Sequence, residues 1–280
     1  MRLGSINNDY SGYRKMIDFY HERRNSVFEM IPLSLGSWFP ANTCSLLGAL
    51  LYLLQNNLNT IEIDPGNAGD ILTRNGFLSF FGNPKIPDRN NTAISYEVLD
   101  PQDDRYFSNY VFREFLSNPN LPKMTVALRK KVAESIYEIF INAKMHSDTE
   151  KIFTCGQFFP NKHIIEFMIT DIGIGIPESI NRRFGVSFDS VTAISWAMKS
   201  GNTTKQGVSG GIGLALLQEF ISQNRGKIQV ISGDGFWELN ERGVETKVFT
   251  NEFPGTAINI YVRTNDPASY ALVSEVTDIF

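Results

Sequence analysis

A glutamate and an asparagine stand four residues apart in the segment EIFINAKMHS, Glu138 to Ser147. One helical turn separates them, so Glu138 and Asn142 share a helix face. A carboxylate there can take a proton from an attacking water, or orient it. An amide oxygen beside it can ligate Mg²⁺, a hard cation that favours oxygen and keeps several waters. The pair alone also fits the wet face of any helix. A second segment, DIGIGIP, runs from Asp171 to Pro177. An ionised aspartate only accepts hydrogen bonds, which suits a donor such as an exocyclic adenine amine. Gly173 and Gly175 let the backbone approach a ligand closely, although the same residues also serve a plain strand-to-loop turn. A third segment, GVSGGIGL, runs from Gly207 to Leu214. Gly210, Gly211 and Gly213 lead into a helix, and its N-terminal N–H groups and positive dipole end suit a phosphate. No Gly-Lys-Ser/Thr follows, so this is not a Walker A loop, and no acidic ribose partner marks a dinucleotide fold. Thr256, after Pro254 and Gly255, can share a water with Asp171 and a base, or simply open a strand.

These segments need a scaffold, and the pattern of apolar residues supplies one. From Met124 to Met145 a helical stripe of Val132, Ile136, Ile139, Phe140 and Ala143 leaves Glu134, Glu138, Asn142 and His146 on another face. Strands are predicted over Lys151–Phe158 and His163–Thr170, the second ending at Asp171. A helix over Ser190–Lys199 precedes the glycine-rich segment, and Gly211–Asn224 is a helix with Leu214, Leu217, Phe220 and Ile221 on its apolar face. Strands over Lys227–Ser232, Phe236–Leu239, Glu245–Asn251 and Thr256–Val262 close the unit. Upstream the pattern is strand (Ser26–Leu35), helix (Thr43 to Gln55), strand (Thr60–Ile63), helix (Gly69–Phe81), strand (Ala93–Val98) and helix (Tyr106–Leu116). The run SNPNLP at Ser117–Pro122 is the natural boundary. The expected organisation is a polar lead over 1–25 with a helix at Tyr13–Arg24, a small α/β unit over 26–118, a second unit over 119–266 and a tail over 267–280.

The 280 residues carry 26 basic and 30 acidic side chains, a net charge of −4, which argues against nucleic acid as a partner. Two cysteines, Cys44 and Cys155, stand too far apart in sequence for a metal motif and suit buried thiols of a cytoplasmic protein. The longest apolar run, Leu46 to Leu54, is too short to cross a bilayer, so no membrane insertion is expected.

The three segments in this order, with the closing Gly255 and Thr256, resemble the GHKL ATPase superfamily, the ATP-binding domain of histidine kinases, DNA gyrase, MutL proteins and a heat-shock chaperone. The resemblance covers about Leu121 to Thr264. It implies a two-layer α/β sandwich, with a mixed sheet under helices and ATP between the helices and a lid over Ile180–Gly210. By the same resemblance Glu138 is the catalytic acid–base residue and Asn142 the Mg²⁺ ligand. Asp171 takes the adenine amine, Gly173, Gly175 and Ile176 shape the base pocket, and Gly207, Gly210, Gly211, Gly213 and Leu214 wrap the phosphates. Thr256 is the closing threonine. His146 holds a position where such proteins often carry a polar residue near the phosphates; a histidine satisfied by carbonyls at the helix end is the other reading. Lys199, Thr203, Thr204 and Lys205 fall in the lid, as phosphate contacts or as a solvated loop.

His21 only superficially echoes a histidine kinase's phospho-acceptor, because the proline-containing tail of that box and the helical hairpin around it are missing. Gyrase- and MutL-type proteins carry a transducer domain after the ATPase unit, and only 16 residues follow Thr264 here, so another type is expected. The unit from Ser26 to about Gly82 is similar to STAS domains, with Ser45 or Thr43 in place of their switch residue but without the preceding aspartate. The expected function is therefore a cytoplasmic Mg²⁺-ATP-binding signalling protein, kinase-like or a slow ATPase, with a protein partner. The alternative is a non-catalytic ATP-dependent switch or an anti-sigma-like binding protein.

Overall fold

The computed structural model describes residues 2–199, 201–202 and 212–277. The chain begins with strand β1 (Arg2–Gly4) and helix α1 (Tyr10–Arg23), followed by β2 (Met30–Leu35), α2 (Cys44–Asn56), β3 (Thr60–Asp64) and the short helix α3 (Gly69–Arg74). β4 (Ala93–Leu99), α4 (Asp104–Tyr110), β5 (Lys123–Met124) and the long helix α5 (Val126–His146) come next. Then follow β6 (Ile152–Phe159), β7 (Ile164–Asp171), α6 (Gly175–Phe184), α7 (Ser190–Ala197) and α8 (Ile212–Gln223). The chain closes with β8 (Lys227–Asn240), β9 (Gly243–Arg263), β10 (Ser269–Tyr270) and α9 (Val273–Thr277). The fold is mixed α/β with three sheets: parallel β1-β2-β3, a parallel β10-β5 pair, and a five-stranded sheet in the order β4-β6-β7-β9-β8.

Every pairing in the five-stranded sheet is antiparallel, which corrects the expected mixed sheet. All eight residues of β7 are buried, as in a strand covered on both faces. Ile165, Phe167 and Ile169 share a core with Phe140 and Ile136 of α5 and Leu217 of α8. Met168, from the opposite pleat, packs with Leu46, Leu47 and Leu50 of α2. The sheet thus carries α5 and α8 on one face and α1 and α2 on the other, where a two-layer sandwich would leave the second face open.

That second layer takes in the N-terminus, where the helix expected at Tyr13–Arg24 corresponds to α1 and packs on the sheet. β1 pairs with β2, and the Asp9 side chain caps α1 by accepting the Gly12 N–H at 2.9 Å. Tyr13, Met16, Ile17 and Phe19 are fully buried. Their i, i+3, i+4 spacing makes a core stripe, which the surrounding charges mask when polarity is averaged along the segment. Phe19→Ala is expected to cost about 3–5 kcal/mol and to lower the denaturant midpoint accordingly. An unchanged midpoint would show that this stripe contributes nothing to stability.

Pairing also crosses the position read as the domain boundary: β4 forms the edge of the five-stranded sheet beside β6. The described part of the tail is tied down as well, with β10 alongside β5, the Thr125 N–H donating to Tyr270 O at 2.9 Å, and Tyr270 edge-on to Phe220. The helix read over Gly69–Phe81 breaks after Arg74, because Gly76 adopts φ +88° and a 3₁₀ turn follows. Ser45 and Thr43, the candidate phospho-acceptors, are wholly buried. The Ser45 hydroxyl lies 2.8 Å from both the Phe153 carbonyl and Thr170 Oγ1, and Thr43 Oγ1 donates to Pro40 O at 2.6 Å. In this packing a kinase has no access to either. Among the described residues no helix is long and apolar enough to cross a membrane.

Candidate functional site

Helix α5 begins at a Thr125 cap, whose hydroxyl accepts the Leu128 N–H at 3.1 Å. Its buried stripe of Leu128, Val132, Ile136, Ile139, Phe140 and Ala143 lies on the sheet. The adjoining strip, one turn apart, turns half-buried Glu138 and Asn142 into a cleft beside the sheet. The cleft holds about 970 Å³ of empty space, its open mouth included.

The inner end of the cleft is a row across three strands. Asp171 of β7 pairs with Thr256 of β9, and Thr256 pairs with Ser232 of β8. The Ser232 hydroxyl donates to Gly255 O at 2.8 Å, lies 3.0 Å from Thr256 Oγ1, and accepts the Ile176 N–H at 2.8 Å. Asp171 is 6% exposed. Burial raises its carboxyl from the ordinary 3.8 to about 6, against opposing hydrogen bonds from the backbone of Gly173 and Thr256. The Gly173 N–H donates to Asp171 Oδ1 at 2.9 Å.

The glycines here are sterically required. A Cβ on Gly173 would sit 1.9 Å from Ser147 O, the carbonyl that accepts the Ile174 N–H at 2.7 Å. Gly175 has φ +76°, and its Cβ would meet Ser232 Oγ at 2.8 Å. Close backbone approach therefore seats the loop from Asp171 against the end of α5 and against Ser232 within β8.

Glu138, Asn142, Asp171, Gly175, Ile176, Leu214 and Thr256 all line the cleft. Gly173 stands behind it, packed on Ser147. Gly213 lies in the first turn of α8, while Gly207, Gly210 and Gly211 fall outside the described residues, as do Thr203, Thr204 and Lys205. His146 is the last residue of α5, and its side chain is likewise outside the described set. Lys199 is exposed. The stretch assigned to a lid begins with packed structure: Ile180, Ala193 and Ile194 are buried, and α7 lies along β8.

Helix α6 escaped the sequence reading. Its signals were there, with Pro177 and Glu178 in the first turn, Arg182 and Arg183 in the last, and Gly185 left-handed at φ +62° just beyond. The glycines at its start read as a loop and hid it. Ser179 and Ile180 of α6 and Trp196 of α7 line the cleft, together with Asn202, which donates to Trp196 O at 2.8 Å. Ser147 and Ser232 were also unassigned. Only the antiparallel register brings Ser232 opposite Thr256, through a hairpin whose bulges at Gly233 and Gly235 no local signal fixes.

Chemically the cleft offers a buried acceptor and hydroxyls at one end and a carboxylate–amide pair on its wall. Among the described residues no group of three or more His, Cys, Asp or Glu could hold a metal. A hard cation here would rest on Asn142 together with ligand oxygens and water. Comparison with protein-family models and with curated proteins finds no match to this chain.

Proposed function

We propose that the cleft binds ATP with Mg²⁺ in the manner of the GHKL superfamily, and that the chain is a signalling protein of the cytoplasm, kinase-like or a slow ATPase. The observation that carries this reading is Asp171, a buried carboxylate at the inner end of a cleft whose wall bears Glu138 and Asn142. The adenine amine would donate to Asp171, with Thr256 beside it. Asn142 would give one oxygen to Mg²⁺, which neutralises phosphate charge when bound. Glu138 would accept the proton of an attacking water or hydroxyl. The parallel β1-β2-β3 sheet with α1 and α2 supports a small α/β regulatory unit, related in outline to STAS domains. Its interior serine and threonine are not offered as acceptors.

Titration calorimetry with ATP and Mg²⁺ tests the reading directly; absence of saturable binding would overturn it. Incubation with γ-labelled ATP, followed by mapping of any label on the chain, tests for phosphoryl transfer. Glu138→Ala is expected to leave ATP affinity within about twofold and to slow phosphate release by roughly 10²–10⁴-fold. Equal release by variant and wild type would remove Glu138 from the chemistry.

A non-catalytic switch is the second reading, and one contact favours it. Ser45 of α2 meets Thr170, the residue before Asp171, on the reverse of the same strand. Nucleotide at Asp171 would thereby bear on the packing of the N-terminal unit. Partner capture with and without ATP is expected to differ under this reading; identical partner sets would exclude it.

A further inference from the structure

A second cleft opens on the opposite face of the sheet, between the N-terminal loops and strands β6 to β9. It holds about 630 Å³ of empty space, its mouth included. Its floor carries Glu166 and Gln229, only 3% and 1% exposed. Asn259 Nδ2 donates to Glu166 Oε2 at 2.8 Å and to Gln229 Oε1 at 3.0 Å, and Asn42 Nδ2 reaches the same carboxylate oxygen at 3.3 Å. The Tyr13 hydroxyl donates to Gln229 Oε1 at 2.7 Å. This is a connected polar floor, fixed before any ligand arrives.

The walls are aromatic. Trp38 and Phe159 lie 6.1 Å apart, tilted by 38°. Lys162 Nζ sits 4.4 Å from the centre of the Trp38 ring, and Lys227 Nζ sits 5.4 Å from that of Tyr261. Burial pushes the Glu166 carboxyl above its usual range, while Asn259, Asn8 and then Lys227 and Lys162 pull it back. A carboxylate in mid-strand is a poor choice for stability, because an apolar residue of similar size would avoid its desolvation. In a cleft open to solvent it has a use as an acceptor. Lys162 and Lys227 stand at its rim, and Glu238 Oε2 lies behind the floor, accepting the Gln229 Nε2–H at 2.6 Å.

We propose that this cleft is a second ligand site, taking a small anionic molecule with a planar, N–H-bearing head of the nucleoside monophosphate type. The head donates to Glu166 and stacks on the aromatic walls, and the phosphate meets Lys162 and Lys227. The site shares no lining residue with the first cleft and does not depend on its function.

The test is titration calorimetry on the Asp171→Asn chain with the common nucleoside monophosphates, ribose 5-phosphate and inorganic phosphate. At least one nucleoside monophosphate should bind saturably, with the two base-free probes weaker by about tenfold or more. Reversing both rim charges, Lys162→Glu with Lys227→Glu, should weaken binding by at least about tenfold while leaving the melting curve in place. No saturation by any nucleoside monophosphate at millimolar concentration would overturn the proposal. Equal binding of inorganic phosphate would overturn the planar head. Undiminished binding by the charge-reversed chain would overturn the location.

Discussion

Asp171→Asn is expected to weaken ATP binding by roughly 10- to 100-fold, the loss of a charge-assisted hydrogen bond worth about 1.5–3 kcal/mol, and at neutral pH to make the ligand-free protein more stable. The two effects share one cause. Burial raises the Asp171 carboxyl from 3.8 to about 6, so the folded state holds its proton more tightly than the unfolded state does. The stability contribution is fully present below about pH 4 and is lost as pH rises through 6, a change of about 3 kcal/mol. Asparagine carries no charge and escapes that loss, but it gives up one acceptor position, at about 1–2 kcal/mol. The variant should therefore melt above wild type at pH 7, by about 1–2 kcal/mol, and below it at pH 4. Wild-type affinity for ATP should rise between pH 5 and pH 7, because the ionised carboxylate is the better acceptor for an amine. Melting curves at both pH values and calorimetric titration across the range check this. An unchanged affinity in the variant would take Asp171 out of the base pocket. A melting order that does not invert would show that its burial carries no penalty.

Gly255→Ala should be severely damaging, because it combines a backbone clash with a left-handed φ. Gly255 has φ +134°, and an added Cβ would sit 2.0 Å from the Asp171 carbonyl oxygen. Neither partner can yield alone, since Asp171 and Thr256 are ladder partners and the Ser232 hydroxyl holds the Gly255 carbonyl. The strand must shift, at an expected cost of roughly 3–5 kcal/mol, and the row Asp171, Thr256, Ser232 shifts with it. ATP affinity should fall together with the melting temperature. Gly185→Ala provides the control. That glycine is left-handed at φ +62° with nothing within 4 Å of a Cβ, so only backbone strain of about 1 kcal/mol is expected. Scanning calorimetry of both variants separates the effects. Equal melting would mean that the clash at Gly255 relaxes without consequence.

The coupling of the two sheet faces gives these substitutions a longer reach. Thr170 contacts Ser45 of α2, and Asp171 follows it on the cleft side. A displacement of the end of β7 is therefore felt by both layers, since a close-packed interior transmits such shifts.

Much of the candidate site was legible because its signals are local. Glu138 and Asn142 lie one turn apart on a helix whose apolar stripe is unambiguous, and the apolar run of β7 ends at an aspartate followed by spaced glycines. Helical period, strand pleat and the steric demands of glycine act within a few residues, so the sequence by itself determined these elements and the faces they present. Tertiary structure decided the rest. Ser232 meets Thr256 from 24 positions away, Ser45 meets Thr170 from 125, and Tyr13 meets Gln229 from 216. The polar-looking N-terminus became a core layer because Tyr13, Met16, Ile17 and Phe19 found the open face of the sheet. Register, layer order and the second cleft depend on which distant surfaces exclude water together, and that selection leaves no periodicity in the chain to be read.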